Sequence, residues 1–195
     1  MVVSPVILEG QHARLEPLSS EHHAALSEVG LDEDLWRWTT YCVTSAEEMR
    51  RYIETALGEQ ASGISLPFAT IEKLTGRAVG STRFGNIDCA NRRLEIGWTW
   101  VARNWQRTAV NTEAKYLMLR HAFDTLGAIR VEFKTDSLNE RSRRAILRLG
   151  AKEEGTFRNH MIVHDGRLRH SVYYSIINDE WPAVRAALEE RMGKG

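Results

Sequence analysis

Trp105-Gln106-Arg107-Thr108-Ala109-Val110-Asn111-Thr112-Glu113-Ala114, running at once into Lys115-Tyr116-Leu117-Met118-Leu119-Arg120-His121-Ala122-Phe123, is a polar turn followed by an apolar helical stretch. Residues 93–101 ahead of it read as a strand, and the spacing predicts a helix over 112–126 and a buried strand over 130–135. A helix entered from a strand through a polar turn has first-turn N–H groups without partners inside the helix. Together with the helix dipole, those groups form a site suited to a phosphorylated ligand. A strand, helix, strand run of this length also needs a crossover connection. The strand at 130–135 therefore becomes the parallel neighbour of an earlier strand, and the sheet is mixed.

Outward from this unit, the N-terminal side reads as extended pieces at 6–8 and 12–18, then a helix capped by Ser19 or Ser20 that stops at Gly30. Residues 31–41 hold Leu35, Trp36, Trp38 and Tyr41 without a clean period, and a second helix follows from a cap at Thr44 or Ser45. Strands at 67–72 and 78–86, joined by a hairpin at 73–77, precede the strand at 93–101 and make an antiparallel meander with it. On the C-terminal side come a helix over 139–149 ending at Gly150, extended segments at 153–163 and 168–177 around the hairpin signal His164-Asp165-Gly166, and a helix over 179–192. Tyr173 and Tyr174 alternate, so one faces the core and the other the cleft or solvent.

Composition narrows the classes. At 195 residues one domain, residues 1–195, is the default. Lys plus Arg equals Asp plus Glu at 26 each, and 43% of residues are hydrophobic, so bulk charge points to neither nucleic acid nor a membrane. Cys42 and Cys89 have no Cys or His neighbours at ligand spacing, so no metal is expected and both are read as reduced thiols. Met1-Val2-Val3-Ser4-Pro5-Val6-Ile7-Leu8-Glu9 has no basic start and no long apolar run, which predicts a cytoplasmic protein without signal peptide or membrane span.

Three motifs carry a resemblance that extends from His12-Ala13-Arg14-Leu15 to Tyr173-Tyr174. They are Leu94-Glu95-Ile96-Gly97-Trp98; residues 106–111 leading into Thr112-Glu113-Ala114; and Asn139-Glu140-Arg141-Ser142 continuing to Leu149-Gly150-Ala151-Lys152-Glu153-Glu154-Gly155-Thr156-Phe157-Arg158. With the element order, they are similar to the GNAT superfamily of N-acetyltransferases, and within it to the branch of the ribosomal-protein N-terminal acetyltransferases. The resemblance implies an α/β (α+β) fold with a mixed, mostly antiparallel, splayed sheet flanked by helices. It implies acetyl-CoA as co-substrate, direct transfer of acetyl to a primary amine of a small molecule or protein N-terminus, no metal, and a homodimer as an ordinary state.

In that family the turn reads Arg/Gln-x-x-Gly-x-Gly/Ala, and its N–H groups hold the pyrophosphate of coenzyme A. Gln106 matches the first position, but Ala109 stands where glycine is expected and Asn111 where glycine or alanine is. This leaves a second reading, a non-catalytic binding module of the same fold with a degenerate coenzyme A turn. By resemblance the cofactor contacts are Trp100, Val101, Gln106, Arg107, Thr108, Ala109, Val110, Asn111, Thr112, Asn139 and Ser142.

Glu95 alternates with Leu94 and Ile96, so it points away from the face they share. The resemblance makes it the general base; the residues alone equally allow a solvated Glu paired with Arg93 or Arg83. Gly97 suits a bulge or close ligand approach, and the main chain of residues 97–101 is similar to the segment that pairs with the pantetheine arm. Asn139 is a helix N-cap on local grounds and by resemblance also a ligand of the pantetheine amide. Ser142 is either an N3 serine or the hydroxyl that serves the leaving thiolate. Trp36, Trp38 and Tyr41 fall where the family's substrate-side loop lies, or else are core aromatics. Arg141, Arg143, Arg144 and Arg148 make one helix basic; a solvated face, a phosphate site and a nucleic-acid surface all remain open.

Overall fold

A computed structural model describes residues 1–193. The chain runs β1 (Leu8–Glu9), β2 (Ala13–Pro17), α1 (His23–Gly30), α2 (Ala46–Ala61), β3 (Leu66–Glu72), β4 (Arg77–Asp88), β5 (Arg93–Val101), α3 (Ala109–Arg120), β6 (Arg130–Asp136), α4 (Glu140–Arg148), β7 (Lys152–Ile162), β8 (Leu168–Ile177) and α5 (Trp181–Gly193). The eight strands form one sheet in the order β1-β2-β3-β4-β5-β6-β8-β7. Every pair is antiparallel except β5–β6, the crossover neighbours joined through α3.

Alternation along the strands sorts the apolar residues into two cores. Leu66 and Phe68, Leu94 and Ile96, Val131 and Phe133, and Val172 and Tyr174 face α3, α4 and α5. Ala69, Ile71 and Ala78 face α1 and α2, with Trp36, Met49, Tyr52 and Ile53 closing that side. Tyr174 is wholly buried in the first core, while Tyr173 is half-buried and meets Phe157 and His160. Cys42 and Cys89 are free thiols.

The helices end and begin where local chemistry dictates. Ser45 accepts from the Glu48 N–H at 3.2 Å, and the Glu48 carboxylate returns to the Thr44 N–H at 2.8 Å. The segment 112–126, predicted as one helix, starts earlier, at Ala109, and its last turn widens so that the Leu126 N–H reaches the His121 carbonyl at 3.0 Å. Glu113 fastens this helix to the first hairpin: its buried carboxylate accepts from the N–H groups of Gln11, His12 and Ala13 at 2.8, 2.6 and 2.6 Å. A Cβ at Gly10 would collide with that carboxylate, so only glycine fits there.

Candidate functional site

The site is made by a sheet that comes apart. β5 and β6 pair only at Arg93↔Arg130, Leu94↔Val131 and Glu95↔Glu132. Past Glu95 they diverge, and β5 carries an extra residue: Ser81 faces Trp100 while Arg83 faces Gly97, and Trp98 between them takes φ 48°. The bulge also reverses the alternation, since Leu94 and Ile96 lie in the core under α3 whereas Trp100 lies in the core under α2. The wedge between the strands is a cleft of about 400 Å³, flanked by the N-terminal ends of α3 and α4.

Glu95 is the last paired residue, 2% exposed, and turned to the face opposite Leu94 and Ile96. Its Oε2 accepts from Asn86 Nδ2 at 2.8 Å and pairs with Lys134 Nζ at 3.0 Å. The partners read from the sequence are replaced: Arg93 pairs with Asp88 and Glu132, Arg83 with Glu59, and the carboxylate is buried rather than solvated. Burial raises its pKa; the Lys134 ammonium and the Asn86 amide oppose that rise without cancelling it. A Cβ at Gly97 would sit 2.8 Å from Glu95 Oε1, so the glycine leaves the carboxylate room against its own strand.

The turn after β5 is a tight coil over Arg103–Trp105 followed by Gln106, then Arg107 at φ 65° and Thr108 as the N-cap, whose Oγ1 accepts from the Val110 N–H at 3.4 Å and donates to the Trp105 carbonyl at 2.7 Å. Ala109 and Asn111 therefore belong to the first helical turn, where no left-handed backbone is needed; the left-handed residue is Arg107. Gln106 donates its side-chain amide to the Val101 carbonyl at 2.8 Å and ties the turn to the strand end. Gln106, Arg107, Asn111 and Thr112 line the cleft. Thr108 and Ala109 lie outside its lining, and the Val110 side chain belongs to the core, so any role for these three rests on backbone N–H groups.

Asn139 Oδ1 accepts from the Ser142 N–H at 3.0 Å, the cap expected of it, and both residues line the cleft across from β5. Tyr41 and Trp38 line the far end. Trp36 also borders the cleft but is wholly buried: it donates its indole N–H to the Gly30 carbonyl at 2.8 Å and packs on Tyr41, Tyr52 and Trp100, so it backs this wall. The basic helix divides: Arg141 and Arg148 line the cleft, while Arg143 binds the Tyr174 hydroxyl at 3.1 Å and pairs with Glu153.

Three cations of the cleft escaped the sequence reading. Lys134 shares its strand face with Glu132, and a lysine between the buried Phe133 and Thr135 is a signal for a partner such as Glu95. Lys115 lies on α3 with its ammonium held by the hydroxyls of Thr82 at 2.8 Å and Thr99 at 2.5 Å, and burial alone lowers its pKa to about 7. Arg169 reaches in from β8. Among the described residues no group of three or more His, Cys, Asp or Glu could hold a metal ion, and no helix is long and apolar enough to cross a membrane.

The splayed sheet, the helix N-terminus at its mouth and the buried carboxylate at its apex define a mixed α/β fold with a cleft suited to a phosphorylated ligand. The sequence matches the family described as "Acetyltransferase (GNAT) domain" over residues 12–152, and the chain belongs to that family. It is 34% identical over 106 residues to "Putative ribosomal N-acetyltransferase YdaF" of Bacillus subtilis (strain 168), covering 54% of this chain and 57% of that relative, so the match spans little more than half the relative's length. A GCN5-related N-acetyltransferase from Brucella melitensis superposes with a TM-score of 0.89 at 34% identity, over 96% of this chain and 86% of the other. Mycobacterium smegmatis RimJ, solved in complex with CoA-disulfide, superposes with a TM-score of 0.80 at 25% identity, over 92% and 88%.

Proposed function

We propose that this single domain is an acetyl-CoA-dependent N-acetyltransferase that acts on a primary amine within one ternary complex. The observation that carries this reading is the meeting, in one cleft, of a buried, raised-pKa carboxylate with a capped helix N-terminus and the Asn139–Ser142 pair. A similar structure holds a coenzyme A derivative, and features of the cleft support such a ligand here. The first-turn N–H groups of α3 suit a pyrophosphate, Arg107 in the turn adds positive charge, and the diverging strands leave main-chain groups for an amide-bearing arm.

Coenzyme A supplies an activated thioester. The chain's own residues do the rest. Glu95 accepts the amine proton, directly or through water, and its raised pKa suits a base working near neutrality. The main chain from Gly97 to Val101, at the bulge beside the diverging strands, would offer N–H groups to the thioester carbonyl and favour charge developing on its oxygen. Asn139, whose oxygen caps α4, would have its side-chain NH2 left for the pantetheine arm, and the Ser142 hydroxyl would serve the thiolate leaving group. The B. subtilis relative carries the name of a ribosomal N-acetyltransferase, which supports a ribosomal acceptor among the candidates. The helical backbone at Ala109 and Asn111 speaks against a degenerate turn, because neither position calls for glycine's freedom. Thiol release from acetyl-CoA over an amine panel tests the reading; no turnover with any amine, together with no calorimetric binding of acetyl-CoA, overturns it.

A further inference from the structure

The charges around Glu95 do not balance. On the sheet face that carries Glu95, the anions Glu95, Asp136 and Glu132 each have a cation: Lys134 at 3.0 Å for the first, Arg167 at 2.6 Å for the second, and Arg93 and Arg130 for the third. Arg169 is left over. It is 8% exposed, donates Nε to the Ser171 hydroxyl at 3.0 Å and Nη1 to the Trp38 carbonyl at 3.2 Å, and among the described residues makes no ion pair, with no hydrogen bond from Nη2. Neutral acceptors fix the plane of the guanidinium but do not neutralise it, and a buried cation without a counterion is costly. The carboxylates that act on it through space, Asp136 and Glu95, are the two already paired with other cations, and burial outweighs them and lowers its pKa. Burial raises the Tyr173 pKa, and burial, Lys134 and Arg169 together hold the His160 pKa down. Through Trp38 and β8, Arg169 joins two segments that both line the cleft.

We infer that the acceptor carries a carboxylate as well as its amine, and that Arg169 receives the carboxylate while Glu95 faces the amine. This rests on the proposed N-acetyltransferase reading. A planar guanidinium with a free edge is the donor geometry that carboxylates take in two parallel hydrogen bonds. The carboxylate can come from a free amino acid or from an acidic side chain near a peptide N-terminus.

Matched acceptors separate these sources. Thiol-release kcat/KM is measured for leucine against leucinamide, and for the amidated dipeptide Ala-Glu against Ala-Gln. Wild type favours the carboxylated member of at least one pair by on the order of 10-fold or more, and the pair that shows it names the source. Arg169→Gln brings that ratio close to one, and Arg169→Lys retains part of it. A purely structural arginine lowers both members alike and leaves the ratio where it was, which overturns the inference, as do equal rates for both pairs in wild type. If no amine is turned over, the proposed function fails first. The same pairs are then titrated as ligands by tryptophan fluorescence: tighter binding of a carboxylated member, lost in Arg169→Gln, upholds the arginine site, and equal or absent binding removes it.

Discussion

Glu95 and Lys115 are both ionisable groups taken out of water, and burial drives each toward its neutral form. For Glu95 the consequence is kinetic. A base must be unprotonated to work, so kcat/KM falls as pH drops through a pKa above the ordinary 4.5, and Glu95→Gln lowers kcat by roughly 100-fold or more with little change in KM for acetyl-CoA. A variant with unchanged kcat leaves Lys134 and Asn86 holding a merely structural carboxylate. For Lys115 the consequence is thermodynamic. The folded chain releases this proton near 7 while an unfolded lysine keeps it to about 10.5, so the unfolded state binds more protons in between. Stability therefore rises with pH across that window, by at most about 1.4 kcal/mol per pH unit. Lys115→Met removes that slope, which urea unfolding midpoints at several alkaline pH values read directly; parallel slopes in the two proteins contradict a buried, deprotonated lysine.

At the level of elements, the start of α3 shows what a sequence can and cannot disclose. The apolar run 116–123 and the capping residues of α2 and α4 were readable because each is a local pattern, and so was the crossover that makes β6 parallel to β5. The N-cap, Thr108, lies ahead of the predicted helix start because the family pattern puts its flexible glycines one and three residues on, whereas the chain makes its left-handed turn at Arg107, a residue type that carries no such signal. Glu95's orientation followed from strand period, but its partner did not: Lys134 is 39 residues away and meets it only because β6 lies alongside. Arg169 was hidden for the same reason, its contact with Trp38 spanning 131 residues. The helical setting of Ala109 and Asn111 has a direct test. Replacing both by glycine should lower stability, by up to about 1 kcal/mol per site, and should not strengthen coenzyme A binding. Calorimetry showing affinity only in the double variant restores the degenerate-turn reading.

Across the whole molecule, the sheet acts as two ladders hinged at one short parallel contact. β1 to β5 and the β6, β8, β7 set are each continuous, and their junction is confined to residues 93–95 and 130–132. Beyond it, each strand presents main-chain groups to the cleft that no neighbouring strand satisfies, an arrangement that is costly unless water or a ligand takes those groups up. The two cores and the Glu113 clamp keep the wedge open without help from the site itself, so the cleft is built in before anything binds. Bound coenzyme A should therefore act locally. In hydrogen exchange followed over seconds to minutes, where local opening dominates, its addition slows amides in residues 96–101, 106–112 and 133–139 and leaves β1, β2 and α5 as they were. Slowing confined to other segments would place the ligand elsewhere. Equal slowing throughout would mean that the two ladders close on each other when the ligand binds, and that the wedge is a hinge and not a fixed slot.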